Sequence, residues 1–287
     1  MNGCAIKSVI QASMDIYIGF DSAWADNPKA PGAICAVGIK DGGTVRFHEP
    51  QLVLFDQALS FIRDVRSDNG NTLIALDQPT VVPNLTRMRP VEHVAGALVG
   101  WLGGGVQPSN RGKLGMFCDA SPIWRFLTAL GAVEDPERAR VAADGLYLME
   151  VFPALALASL DAGFFSRRGG PKYNPKNKKT FRPGDWVRVA EAATRKASEL
   201  GCEKLAEWCH DTSKIAQPRK ADQDKLDSAL CVLIALHWRL RPRGASLLLG
   251  DLLTGYMVLP ASPEVRGYLT EPARKHSVAM DGVVPLS

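Results

Sequence analysis

The first eighty residues alternate between apolar runs and turn residues, a pattern that predicts strands followed by a helix. Three apolar runs bounded by turn residues, at 16–20, at 32–39 and more loosely at 44–55, are typical of successive strands in a meander. Residues 57–65 place apolar side chains on one helical face, and the apolar run at 72–77 predicts a buried parallel strand. This β-β-β-α-β order leaves the fourth strand free to lie beside the first.

The rest of the chain continues the α/β pattern after one long interruption. Residues 82–121 are rich in Gly, Pro, Asn and Arg, which predicts an irregular insertion. The remaining predicted elements are helices at 122–130, 184–200 and 221–240, a fifth strand at 146–152 and an extra strand at 255–260. We therefore expect one α/β domain over 14–260, between a disordered N-terminal extension at 1–13 and a polar C-terminal tail at 261–287 with no assigned role.

The overall composition excludes several classes of protein. Of the 287 residues, 46% are hydrophobic and 22% charged, which is ordinary for a globular protein that buries its core without disulfides. No apolar stretch reaches the roughly 18 residues that cross a bilayer, and no secretory signal pattern follows Met1. Six scattered cysteines without a Cys-x-x-Cys pair favour a reducing compartment. We expect a soluble, cytoplasmic protein with no membrane partner.

The formal net charge of +4 is mild, but positive residues are concentrated in one segment. Glycines and prolines at 166–184 predict a loop there instead of a helix. The candidate phosphate-binding side chains of this basic insertion, which we define as residues 164–184, are Arg167, Arg168, Lys172, Lys178, Lys179 and Arg182. Such a loop would attract the phosphates of nucleic acid, and a solvated surface insertion is the alternative interpretation.

Four aspartates fall where predicted elements begin or end. Asp21 closes the first strand, and Asp77 closes the fourth just before Pro79. If those strands are adjacent, about 4.8 Å apart, their carboxylates are neighbours. Asp224 and Asp227 stand three residues apart at the start of the last long helix and so share one face. Each acid taken singly has an ordinary explanation as a turn former or helix-start acid, but their joint placement predicts a common site.

Converging carboxylates with few neutralising side chains favour a hard divalent cation. Mg²⁺ and Mn²⁺ prefer oxygen ligands of this kind. The four aspartates therefore predict a two-metal site, with Asp21 as the bridging ligand, that activates water and stabilises the leaving oxygen of a phosphodiester. The predicted activity is metal-dependent hydrolysis of DNA or RNA.

Several of these segments together resemble a known family. Those similar to the DUF429 family of predicted nucleases are Gly19-Phe-Asp-Ser-Ala-Trp24, Leu76-Asp-Gln-Pro79, Met149-Glu-Val-Phe-Pro153 and Asp224-Lys-Leu-Asp227-Ser-Ala-Leu. The resemblance spans roughly 14–238 and implies a ribonuclease-H-like α/β fold: a mixed five-stranded sheet, its first three strands antiparallel, flanked by helices. It also implies metal ligation by the four aspartates and a supporting catalytic role for Glu150. RuvC-type resolvases, whose last helix is similar, usually place Glu where this chain has Asp77.

The last hypotheses concern the role of Trp24 and two alternative functions of the protein. Trp24, just after Asp21, is a candidate for stacking on a base or sugar, although such a tryptophan also serves to cap a core. A non-catalytic module that binds nucleic acid or protein would keep the same fold for its shape. A small-molecule phosphotransferase would bind ATP, but no glycine turn follows Asp21 and the chain has no Walker A loop.

Overall fold

Six strands form the central sheet in the computed structural model, which describes residues 14–40 and 45–286. These strands are β1 (Met14–Asp21), β2 (Gly32–Lys40), β3 (Val45–Val53), β4 (Asn71–Asp77), β5 (Val133–Glu134) and β6 (Gly145–Glu150). Their spatial order is β3-β2-β1-β4-β6-β5. β1 pairs antiparallel with β2, and β2 with β3, whereas β4 and β6 run parallel to β1, so the sheet is mixed. The extension predicted at 1–13 lies outside the described residues.

The predicted strands are present with small shifts of their ends. The antiparallel arrangement of the first three strands is confirmed, and the fourth strand lies beside the first. The sheet differs from the five-stranded prediction by the two-residue β5, which pairs with the outer side of β6. A strand this short is below the length at which a hydrophobic period can be read from sequence.

Helices cover the sheet, and a separate hairpin follows the longest of them. Within the described residues the α-helices are α1 (Phe55–Val65), α2 (Pro90–Trp101), α3 (Pro122–Leu130), α4 (Pro136–Val141), α5 (Pro153–Leu160), α6 (Pro183–Glu199), α7 (Glu203–Ser213), α8 (Lys220–Leu240) and α9 (Pro263–Lys275). The hairpin consists of β7 (Ser246–Asp251) and β8 (Gly255–Pro260). None of the helices in the described part is long and apolar enough to span a membrane.

Five of these helices lie where the sequence assigns no helix: α2 and α9, and also α4, α5 and α7. The irregular insertion expected at 82–121 contains α2, so that expectation is wrong for these twelve residues. Pro90 begins α2, and Val91, Val94 and Leu98 are buried at helical spacing, a signal hidden by the glycines and prolines around it. The predicted C-terminal tail contains α9, which packs against α2. The tail therefore contributes a helix to the folded α/β body.

The sheet separates two hydrophobic clusters, as the alternation of side chains along β1 shows. Tyr17 packs into a large cluster with α2 and with the helices α5 to α8. Ile16 and Ile18 point to the opposite face and pack with α1 and α3. The result is a three-layer arrangement with α8 on the larger side.

The backbone of α8 lies directly on β1 at Gly19. A Cβ atom at Gly19 would be 2.0 Å from the carbonyl oxygen of Ser228 and 2.6 Å from the amide nitrogen of Val232. Glycine is therefore required there for close packing and not for a special backbone angle. Because Ser228 faces Gly19, Asp227 lies one residue from the contact and Asp21 two residues from it. This contact brings the first turns of α8 to the carboxyl end of β1.

We expect Gly19→Ala to lower the free energy of unfolding by about 3 kcal/mol, since the added methyl overlaps helix backbone that cannot rotate away. Urea titration followed by circular dichroism measures this change. Gly100→Ala, on α2, is the matched control, because a Cβ at this position has no neighbouring atom within 4 Å. This variant should raise the free energy of unfolding by about 0.5–1 kcal/mol. Equal stability of Gly19→Ala and the wild type would show that α8 does not depend on this contact.

Candidate functional site

Asp21 and Asp77 are paired residues at the carboxyl ends of two adjacent parallel strands. They face each other in the register of β1 and β4, as the sequence predicts. The loops that follow are joined, because the indole Nε1 of Trp24 donates a hydrogen bond to the carbonyl of Asp77 at 3.3 Å. The Ser22 hydroxyl also donates to Gln78 Oε1. Trp24 has a φ of +50°, an uncommon angle for a residue other than glycine, which marks the sharp turn after β1.

Asp227 is the acid of α8 that lies deepest, with 6% of its surface exposed. Its Oδ1 accepts a hydrogen bond from the Tyr173 hydroxyl at 2.7 Å, and its Oδ2 accepts one from Gln223 Nε2 at 2.8 Å. Asp224, one turn earlier, pairs with the ammonium of Lys220. The two acids of the predicted pair therefore have different surroundings, one fixed by neutral donors and the other bound to a cation.

The aspartates of β1, β4 and α8 lie close enough for their charges to shift pKa values within the group. Removal from water raises the pKa of Asp21 well above its usual value, and the charges of Asp77, Asp227 and Asp224 raise it further. Burial and then the charge of Asp227 raise the pKa of Asp77 in the same way. Burial raises the pKa of Asp227 to about 6, against the attraction of Lys220. Like charges this close favour binding of a cation or protonation.

All five predicted acids line a single cleft with a volume of about 460 Å³. The acidic residues lining it are Asp21, Asp77, Glu92, Glu150, Asp224 and Asp227, and the basic ones are Arg89 and Lys220. Its apolar lining includes Trp24, Met116, Phe152 and Met257. A cleft of this size encloses one small organic group, with acids available for polar contacts and apolar side chains for the rest.

Glu150 is held by a buried arginine. Its two carboxylate oxygens accept hydrogen bonds from Arg89 at 2.9 and 2.6 Å, and Oε2 also accepts one from the backbone amide of Thr80 at 3.1 Å. Arg89 is fully buried and also donates to Glu92 at 2.9 Å. Burial raises the pKa of Glu150 to about 7, and the attraction of Arg89 limits the rise. Gly255 has a φ of +109° and leaves room for the guanidinium. The network fixes the cleft wall next to Asp77.

The basic insertion is a loop, as predicted, and its cations lie outside the lining of the cleft. Exposed side chains are those of Arg167, Arg168, Lys178, Lys179 and Arg182. Lys172 is half-buried, and its ammonium donates to the carbonyl of Gly103. The loop residues that line the cleft are Tyr173 and Asn174. The loop is therefore anchored to Asp227 through Tyr173, which the charge pattern does not indicate.

The side chains around the cleft include oxygen donors of the kind that bind a divalent cation. Within the described residues, no three His, Cys, Asp or Glu side chains are already arranged to hold a metal ion. Gln223 is 7% exposed and lines the cleft, and its Oε1 has no hydrogen-bond partner. An unpaired buried acceptor is costly unless a ligand satisfies it. This amide oxygen and the carboxylates around it are the oxygen donors that Mg²⁺ and Mn²⁺ prefer.

Four residues of the site were not among the sequence predictions. Lys220 and Gln223 each precede a predicted acid by four residues on α8, so helical spacing alone places them beside Asp224 and Asp227. Tyr173 and Arg89 have no such local signal, since their partners are 54 and 61 residues away in the chain.

Replacing Arg89 with methionine should lower the free energy of unfolding by about 3–5 kcal/mol, because Glu150 and Glu92 would stay buried without their partner. Chemical denaturation measures the loss. Arg125→Met, at an exposed position on α3, is the control and should change stability by less than about 0.5 kcal/mol. A loss below about 1 kcal/mol for Arg89→Met would mean that the buried network does not hold the cleft wall.

Comparison with known proteins gives one family and no closer relative. No curated protein matches the chain, and no solved structure matches it. A family model described as "Protein of unknown function (DUF429)" matches residues 19–251, close to the span of the resemblance found in the sequence. This match includes the end of β1 from Gly19, the whole of β4, β6 and α8, and all the acids that line the cleft. The chain belongs to the DUF429 family.

Proposed function

We propose that this protein is a divalent-metal-dependent nuclease that hydrolyses phosphodiester bonds in DNA or RNA. The observation that carries the proposal is the cleft in which Asp21, Asp77 and Asp227 come from three separate elements. After burial, the charges of Asp77 and Asp227 raise the pKa of Asp21, and the charge of Asp227 raises that of Asp77. Buried carboxylates that repel one another form a site for positive charge. Hydrolysis of a phosphodiester needs positive charge of this kind at the reacting phosphate.

The sheet supports a ribonuclease-H-like fold for this function. The family resemblance implies a mixed sheet whose first three strands are antiparallel, and β1 to β3 pair in this way while β4 and β6 run parallel to β1. In open α/β sheets, ligands bind at the carboxyl ends of the strands, where Asp21 and Asp77 lie. Fold and acid placement therefore favour the same edge of the sheet.

Mg²⁺ or Mn²⁺ would be held by Asp21, Asp77, Asp224 and Asp227, with the free amide oxygen of Gln223 beside them. Bound there, the ion supplies the charge that stabilises a phosphodiester as it is hydrolysed. Asp21 is the central residue of the proposed set, because the charges of the other three aspartates all act on it. Tyr173 and Gln223 hold both oxygens of Asp227 and so fix its orientation.

Residues around the acids have positioning and binding roles in this proposal. Glu150 acts through Arg89 to hold the end of β6 beside Asp77, which makes it a positioning residue. Trp24 offers an aromatic surface for a base or sugar within the cleft. The exposed cations of the basic insertion, which lie outside the cleft, would hold the phosphates that continue beyond it.

The size of the cleft favours an unpaired nucleotide as the substrate unit. A volume of about 460 Å³ accommodates one base and sugar, whereas a stacked duplex is far too wide to enter. The substrate would be a strand end or a single-stranded segment.

The described cysteines are free thiols, four of them buried, in agreement with our proposal of a reducing cytoplasm.

Asp21→Asn tests the proposal. We expect it to weaken Mn²⁺ binding at least tenfold in calorimetry and to lower cleavage of a mixed panel of DNA and RNA strands at least a hundredfold. The thermal midpoint of the metal-free protein should stay equal or rise, because one of the repelling carboxylates is removed. This stability readout separates loss of function from loss of folding.

Asp56→Asn, at an exposed position on α1, is the matched control and should leave all three measurements unchanged. Unchanged Mn²⁺ affinity and unchanged cleavage in Asp21→Asn would exclude the metal nuclease. Binding of nucleic acid by the wild type without any cleavage would instead support a non-catalytic module.

The size of the cleft also favours a second candidate, phosphotransfer to a small molecule. The same volume fits a nucleotide or sugar phosphate. Calorimetry with ATP and Mg²⁺ distinguishes the two, since a phosphotransferase binds ATP saturably and the proposed nuclease does not require it. The turn after Asp21, built by Ser22 and Trp24 instead of glycines, disfavours this candidate.

A further inference from the structure

Lys220 places a positive charge among the acids of the cleft. It is the first residue of α8, its ammonium pairs with Asp224, and it lines the cleft. Burial by itself would lower the pKa of Lys220, but attraction by Asp21, Asp227 and Asp224 outweighs this effect and raises it. The other basic residue of the lining, Arg89, is engaged by Glu92 and Glu150. Of the two described basic residues that line the cleft, Lys220 is therefore the one whose charge acts on the aspartates.

We propose that Lys220 is the resident counter-cation of the aspartate cluster, displaced when a divalent metal binds and then available to an anionic substrate. This inference rests on the proposed metal-dependent function. It assigns Lys220 a positioning and regulatory role: the residue lowers the affinity for metal and raises the affinity for phosphate once metal is bound.

Electrostatics make the two cations competitors. A dication and an ammonium about 5 Å apart repel by several kcal/mol at an effective dielectric constant of about 20. The ammonium of Lys220 pairs with Asp224, and a metal ion held by Asp21, Asp224 and Asp227 would repel it from that position. Since either cation lowers the mutual repulsion of the carboxylates, part of their negative charge is offset both before and after the exchange.

The lysine side chain has room to leave the acids. Its side chain is 45% exposed, whereas that of its partner Asp224 is 13% exposed. Lysine carries its charge on a flexible four-carbon stem, so the ammonium can turn toward solvent without moving α8. It stays tethered at the cleft, where a substrate phosphate would be its nearest available anion. Metal and phosphate binding are thereby coupled through one side chain.

Lys220→Met tests this inference with two measurements of opposite sign. The first is Mn²⁺ affinity without substrate, from the free-ion signal in electron paramagnetic resonance, and we expect it to tighten at least tenfold. The second is binding of dimethyl phosphate at saturating Mn²⁺, from ³¹P relaxation, and we expect it to weaken severalfold. A residue with a merely structural role would not move the two in opposite directions.

Two further variants make the test specific. Lys225→Met removes a lysine from the same helix that does not line the cleft, and it should leave both affinities within about twofold of the wild type. Lys220→Arg keeps the charge and should keep Mn²⁺ affinity near that of the wild type. Circular dichroism of each variant confirms that α8 is intact.

The outcomes separate this inference from the function on which it rests. Unchanged or weaker Mn²⁺ binding in Lys220→Met, with the wild type still binding Mn²⁺ in the cleft, overturns the role of Lys220 and leaves the nuclease proposal standing. Failure of both the wild type and Lys220→Met to bind Mn²⁺ at millimolar concentration overturns the nuclease proposal, and the exchange with it.

Discussion

The close contact of α8 with β1 is the constraint on which the site depends. Gly19 lets the backbone of α8 lie against the strand, with Ser228 and Val232 at distances that no side chain would allow. The contact fixes both the depth and the rotation of α8, and so it fixes where Asp227 stands relative to Asp21. The absence of a side chain at Gly19 allows α8 to pack against β1, although about two hundred residues separate these elements in the chain.

This geometry creates an electrostatic problem that the surrounding residues reduce without removing. Tyr173 and Gln223 stabilise Asp227 by hydrogen bonds, and Lys220 supplies one positive charge. The pKa values of Asp21 and Asp77 remain well above the usual range, so neutralisation is incomplete. Glu150 shows the contrast, because Arg89 binds both of its oxygens. An arginine thus binds the carboxylate of Glu150 directly, whereas Asp21 and Asp77 at the strand ends, where we propose that metal binds, have no such partner among the described residues.

The sequence was informative wherever the determining interactions are local. Strand ends, turn residues and helical spacing predict the positions of Asp21, Asp77 and the acids of α8, and the register of β1 with β4 confirms that the first two are neighbours. Arg89 could not be paired with Glu150 from sequence, because only the folded chain brings residues 61 apart into contact. The sequence does not predict helix α2, because the glycines and prolines in and around it obscure its apolar face. The charge pattern located the basic insertion correctly but could not show that Tyr173, a neutral residue, is its contact with the site.

The central claim is that aspartates from β1, β4 and α8 form one cation site at the carboxyl edge of the sheet. A crystal structure of the protein soaked in Mn²⁺, with anomalous diffraction measured at the manganese edge, tests it most directly. We predict an anomalous peak bounded by carboxylate oxygens of Asp21, Asp77 and Asp227, with the ammonium of Lys220 turned away. An anomalous map without a peak in the cleft, with Lys220 still paired to Asp224 at high Mn²⁺ concentration, would contradict the claim.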